Sequence, residues 1–229
     1  MENVVIFEKE RATHYDQHIP IWIPHYAILP SQIAALLRTY HAPEDQAGIL
    51  VAGCGTGMEM LALLQASAGW RFTGVDPSPE MIALARQKLS SNQQERYQLV
   101  EGTVDNLPRN PAFDAATLIL VMHFLPDYGA KLRLLQSLAD RLKPGSPLVL
   151  VDMFREPEAF DRYLHILEKY LVQMGIERDW INDGLAHIRN DIHAVPEQRV
   201  KDLLQEAGFT HILRFSQHLI YGGWVAEKL

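Results

Sequence analysis

The sequence predicts an α/β fold, a largely parallel sheet covered by helices on both faces. Three observations carry this. From Ala47 onward, short apolar runs alternate with segments whose apolar residues recur at helical spacing. The runs are apolar throughout, as strands buried on both faces are. The first run leads into a glycine-rich turn and the second ends in an acid, as expected of a sheet that binds ligands beyond its C-terminal strand ends.

The elements follow in order. The first 46 residues read as an extended arm followed by one helix. Pro20, Pro24 and Pro30 interrupt the opening stretch, which carries Tyr15, Trp22 and Tyr26, and Ser31 is a candidate N-cap for a helix with Ile33, Leu36, Leu37 and Tyr40 on one face. After a loop at 41–46, strands are predicted at 48–52, 70–76, 97–102, 113–121 and 147–154. A helix continues from Met58 to Ala66. Another opens near Pro79, where a missing N–H costs nothing, with Met81, Ile82, Leu84, Ala85 and Leu89 as its core face. A third carries Leu132, Leu135, Leu138 and Leu142 and stops at Lys143-Pro144-Gly145. The segment 155–195 departs from this rhythm. It is helical in pattern, rich in His, Arg, Asp and aromatic residues, and is expected to lie over the strand ends as a cap. Pro196 opens a last helix ended by Gly208, and THILRFS and HLIYGGWVAEK, joined by a short turn, read as antiparallel strands. The expected organisation is therefore an arm and helix (1–46), a ligand-binding core (47–154), a cap insertion (155–195) and a closing helix and hairpin (196–229).

Composition narrows the function. Of the 229 residues, 48% are hydrophobic and 21% charged, a globular balance. The net charge of −7 gives no general affinity for nucleic-acid phosphates. One cysteine allows no intramolecular disulfide and no cysteine-based zinc site, which fits a reduced compartment. MENVVIFEKERATHY lacks the pattern of a secretory leader, and no apolar run is long enough to span a membrane. A cytoplasmic location is the expectation.

The chemistry is expected at ILVAGCGTG (49–57), where three glycines follow a buried strand and let backbone approach a ligand closely. Asp76, in GVDPS, lies 21 residues after Gly55, at the place of an acid that accepts hydrogen bonds from a ribose diol. A dinucleotide fingerprint needs G-x-G-x-x-G. Here the spacing is G-x-G-x-G, and Met58 stands where the last glycine would be.

With these parts in place the sequence resembles the class I S-adenosylmethionine (SAM)-dependent methyltransferases. The resemblance runs from Gly48 to Phe154 and adds AGF (207–209) and the closing hairpin. It implies a Rossmann-like seven-stranded sheet of order 3-2-1-4-5-7-6 with strand 7 antiparallel, and SAM as cofactor. It further implies that Gly53, Cys54, Gly55 and Gly57 bracket the amino-acid end of SAM, that Asp76 holds the ribose, and that Pro77, Met81, Thr103 and Val104 lie near adenine. The end of the fourth strand around Leu120 would face the methionine moiety. The chain departs from the family at Val51 and Thr103, where acids are usual, with Asp105 two residues beyond. PHYAILPSQIAALL (24–37), HFLPD (123–127) and EAGF…GGWVAEK look like the bacterial tRNA wobble-uridine carboxymethyltransferases, whose cofactor-binding tyrosine matches Tyr26. That family grips carboxy-SAM with a cap arginine. Leu185 falls near that position here, and Arg189 is offset by several residues. The expected function is therefore methyl transfer from ordinary SAM to a small-molecule acceptor by in-line displacement. tRNA carboxymethylation and a non-catalytic SAM-binding module are the alternatives, and a homodimer is compatible.

An oxygen nucleophile needs a general base near neutral pKa, which suits histidine. His123, just after the fourth strand, is the first candidate, with a packing histidine at the strand end as the alternative. Tyr15, Arg155 and His187 are candidate substrate contacts. His18, His165, Arg189 and His193 fit a solvated face or cap–core ion pairs, and their spacing gives no metal set. Phe160, Tyr163, Tyr170, Met174 and Trp180 are expected to pack the cap, and Cys54 to sit as a small residue in the turn.

Overall fold

The structure, a computed structural model, describes residues 9–90 and 94–229, with the side chains of 9–13 left aside. Seven strands form one sheet: β1 (Gly48–Ala52), β2 (Arg71–Asp76), β3 (Tyr97–Glu101), β4 (Ala115–Ile119), β5 (Pro147–Met153), β6 (Phe209–His218) and β7 (Tyr221–Lys228). Their order is β3-β2-β1-β4-β5-β7-β6, and β7 runs antiparallel to both of its neighbours while the other pairings are parallel. The predicted architecture holds. The order reverses between β1 and β4, which leaves a crevice at their C-terminal ends.

Strand periodicity explains the two-sided core. Leu50 and Ala52 face one layer with Leu148 and Leu150, while Ile49 and Val51 face the other with Val149 and Val151. Helices α2 (Leu29–Leu37), α3 (Met58–Ala66) and α4 (Pro79–Leu89) cover the second face, and α5 (Ala130–Ala139) and α8 (Glu197–Glu206) the first. Each fully buried Leu or Ile contributes roughly 1.5–3 kcal/mol, so the completely buried Ile49-Leu50-Val51 run anchors the sheet centre. Buried Arg96 serves a different end. It donates to the carbonyls of Leu64, Ser67 and Ala68, satisfying the orphan acceptors where α3 ends.

Three local expectations are corrected. The opening arm is not extended: Lys9–Trp22 forms helix α1. Pro20 lies inside its last turn, where the ring removes the N–H that would bond the Asp16 carbonyl, a cost that the tertiary contacts of α1 offset. Ser31 is no N-cap, because α2 already starts at Leu29 with Pro30 in its first turn. The fourth strand stops at Ile119, because Leu120 turns to φ +59°. The cap consists of α6 (Phe160–Gln173) and α7 (Arg178–Asn190), which form a third apolar cluster with Ile23, Leu120, Ile220 and Tyr221.

Candidate active site

The crevice is built by backbone first. Gly53 and Cys54 both donate to Val75 O, at 2.8 and 3.0 Å, which binds the glycine turn to the end of β2. Gly53, Gly55 and Gly57 have φ of +68°, +51° and +80°, the left-handed region that other residues avoid. Asp76 then closes the turn. Its Oδ2 accepts from Gly55 N–H and its Oδ1 from Ser78 N–H, each at 2.9 Å. Burial raises the Asp76 carboxyl above its ordinary value, and these two donors oppose the rise. Each oxygen keeps further lone-pair capacity, and the carboxylate lies on the crevice wall.

Gly53, Gly55, Asp76, Pro77, Met81, Thr103, Val104 and Leu120 line this crevice together with Tyr15. A side chain at Gly55 would meet nothing within 4 Å, so the turn leaves a backbone-lined cradle on that side. A side-chain-free glycine backbone beside a carboxylate at the switch point fits the amino-acid tail and ribose of SAM. Three residues expected here are placed elsewhere. Cys54 is buried beneath the turn against Gly74, with its thiol pushed up by burial. Gly57 packs on Ala85 of α4. Tyr26 sits behind the turn, near Tyr15 and Glu59, and burial raises its hydroxyl. Thr103 and Asn106 close a local capping box. Asp105 turns outward to accept from Ser137 Oγ at 2.5 Å.

A second chamber of about 320 Å³ opens beside the first, between α1, α7 and the ends of β4 and β5. The two share Tyr15, Leu120 and Phe124. Leu120, a non-glycine residue at φ +59°, holds the partition between them, and its N–H is fixed on Val151 O at 2.7 Å. Backbone strain of this kind costs about 1–3 kcal/mol and persists where the surroundings over-determine it. His123 lines the second chamber.

His123 is buried and engaged twice by Asp152. Its Nδ1 lies 2.5 Å from Asp152 Oδ1, and its backbone N–H donates to Oδ2 at 3.2 Å. An aspartate on Nδ1 fixes the tautomer that leaves Nε2 as the acceptor nitrogen. Behind the pair, buried Lys131 donates to Met122 O at 2.7 Å, and burial lowers its ammonium to about 8 against the pull of Asp152 and Asp127. Asp152 and Lys131 were not foreseen. The one visible signal was an acid within the otherwise apolar strand PLVLVDM.

Helix α1 lies across the glycine turn. Asp16 accepts from Thr56 Oγ1 at 2.6 Å and pairs with Lys88, which also donates to Thr56 at 2.9 Å. This pins Tyr15 over the place where the chambers meet. His187 lines the second chamber and is held by Asp191 at 2.8 Å. Arg155 lines neither: its guanidinium covers the Phe160 ring at 4.5 Å, because the parallel bridge between Phe154 and Val195 turns it toward the cap. No cluster of three metal-ligating side chains occurs among the described residues. No helix among them is long and apolar enough to cross a membrane.

Comparison with known proteins agrees with this geometry. Residues 50–148 match a family described as a methyltransferase domain. A carboxy-S-adenosyl-L-methionine synthase of Methylococcus capsulatus is 27% identical over 97% of this chain and 93% of its own length. A ubiquinone biosynthesis O-methyltransferase of Xanthomonas campestris is 34% identical over 50% of this chain, but only 46% of that relative is covered. The fold matches that of the S-adenosylmethionine-dependent methyltransferase SibL with a TM-score of 0.62, at 16% identity over 86% of this chain and 55% of the other.

Proposed function

We propose that this chain, a class I SAM-dependent methyltransferase, methylates a hydroxyl group of a small acceptor held in the chamber beneath α1 and α7, with His123 as general base. The observation that carries the reading is the buried His123–Asp152 pair on the wall of that chamber, next to the shared partition.

When bound, SAM supplies an electrophilic methyl group on a sulfonium centre. The rest falls to the chain. The glycine turn takes the amino-acid tail and the Asp76 carboxylate the ribose, and Leu120 sets how deep the methyl-bearing end sits. Tyr15 and Phe124 exclude water from the junction, which shortens the search for an in-line geometry. His123 Nε2 takes the hydroxyl proton as the oxygen attacks, and Asp152 stabilises the imidazolium that results. This base is worth about 10²–10⁴ in rate.

The test is a His123→Gln variant assayed for S-adenosylhomocysteine release over a panel of hydroxylated aromatic compounds. Turnover should fall by about 10²–10⁴ while SAM affinity stays within about twofold. Unchanged turnover, or no turnover by the parent on any member of the panel, removes the reading.

A second reading is favoured by one observation, the near-complete length over which the carboxy-SAM synthases align. Among the described residues, however, no Lys or Arg lines either chamber, so none of them offers a cation to a carboxylate there. Product analysis by mass separates a methylated acceptor from a carboxylated cofactor. Equal affinity for SAM and carboxy-SAM argues against the tRNA carboxymethylation alternative.

A further inference from the structure

The acceptor chamber has a chemical polarity of its own. Helix α7 turns Trp180, Asp183, Gly184 and His187 toward it, positions spaced to share one helix face. Gly184 has a specific reason to be glycine: a side chain there would lie 2.0 Å from Trp22 Cζ2 of α1. Its absence lets the Trp22 ring lie against α7 at Gly184. Trp22 and Trp180 stand 5.0 Å apart at 42°, and His18 meets the edge of Trp180 at 5.3 Å. Two tilted indoles and a carboxylate thus form one end of the chamber. Among the described residues Asp183 has no ion-pair partner, and none of those that line the chamber is Lys or Arg. The remaining titratable groups on the wall are Tyr15, His18, His123, His187 and Tyr221, and His187 already faces Asp191. Tyr221 also lines the chamber, but its hydroxyl is buried away from the open space.

We propose that the acceptor is a hydroxylated aromatic compound bearing a positively charged amine, its ammonium lodged against Asp183 and the faces of Trp22 and Trp180, its hydroxyl toward His123. The proposal rests on the methyl-transfer reading for the role of the hydroxyl, but not for the charge preference. Indole faces attract cations, most strongly when water is displaced. A carboxylate in the same place would face Asp183 with no counter-charge, which is unfavourable. The net charge of −7 adds a long-range field of the sign that draws cations in.

Three probes with one ring in common test it: 3,4-dihydroxyphenethylamine, catechol and 3,4-dihydroxyphenylacetate. Each is titrated by calorimetry into the full chain saturated with S-adenosylhomocysteine, and methyl transfer to each is assayed from SAM. The amine should bind at least tenfold more tightly than the carboxylate. Asp183→Asn, a change at an exposed helix position, should weaken the amine about tenfold and leave catechol unchanged. Equal or tighter binding of the carboxylate, an amine affinity indifferent to Asp183→Asn, or no binding of any of the three overturns the proposal. Preferential amine binding without methyl transfer supports the charge preference and overturns only the transfer reading, so the two failures are distinct.

Discussion

Substituting alanine at two neighbouring glycines separates folding from ligand binding. At Gly53, an added Cβ would sit 2.3 Å from Val121 Cγ2, inside any real contact, at φ +68°. At Gly55 it would meet nothing within 4 Å at φ +51°. Both variants carry the left-handed backbone cost of about 1–2 kcal/mol. Gly53→Ala adds overpacking against Val121 of about 1–3 kcal/mol. A chain of this length loses about 2–4 °C of melting temperature per kcal/mol. Gly55→Ala should therefore melt about 2–8 °C lower, and Gly53→Ala about 4–20 °C lower. Ligand binding should diverge the other way. The Gly55 methyl projects into the cradle expected to take the amino-acid tail, so Gly55→Ala should lose most of its SAM affinity while remaining folded. The assay is thermal denaturation with and without saturating S-adenosylhomocysteine, with calorimetry for affinity. A Gly55→Ala variant that is stabilised by ligand as much as the parent would refute the assignment of this turn to the cofactor.

Other consequences are equally concrete. Asp152→Asn should reduce kcat by about 10²–10⁴ with little change in KM for SAM, since it disturbs the base and not the cofactor crevice; steady-state kinetics on a turned-over acceptor decide this, and an equal loss in both constants counts against it. Burial pushes the Glu59 carboxyl up to about 7 from 4.5, with the Thr117 hydroxyl opposing. The folded chain thus keeps a proton that the unfolded chain releases, and this contribution is complete below about pH 4.5 and lost as pH rises through 7. Glu59→Gln should accordingly gain up to about 3 kcal/mol relative to the parent between pH 5 and pH 8 in urea unfolding, and a pH-independent offset contradicts the burial argument. Lys88→Ala removes the cation holding Asp16 and Thr56, and should weaken SAM binding between about twofold and tenfold; titration at low and high salt should show the parent approaching the variant as salt rises.

The sheet was legible because its central strands are apolar on both faces. Ile49 to Val51 and Leu148 to Val151 announce burial without any periodicity to misread. Asp76 was legible because its distance from the glycines is set by one helix and one strand. The opening segment was misread because three prolines suggest an extended chain, yet α1 carries Pro20 in its last turn at the cost of one helix bond. What holds α1 is tertiary: Asp16 on Thr56 and Lys88, residues 40 and 72 positions away. Such pairings leave no mark in local spacing. The same applies to the base. His123 was singled out from its place after β4, but Asp152 reaches it from 29 positions away on the adjacent strand, through a sheet register that local sequence does not encode.

Tyr15 borders both cavities, and it rides on a helix moored by one aspartate. Leu120 and Phe124 border both as well, so the two ligands would meet across three side chains held in common. A change at Tyr15 should therefore be felt by the nucleoside and by the acceptor together, and neither cavity can be reshaped there without reshaping its neighbour.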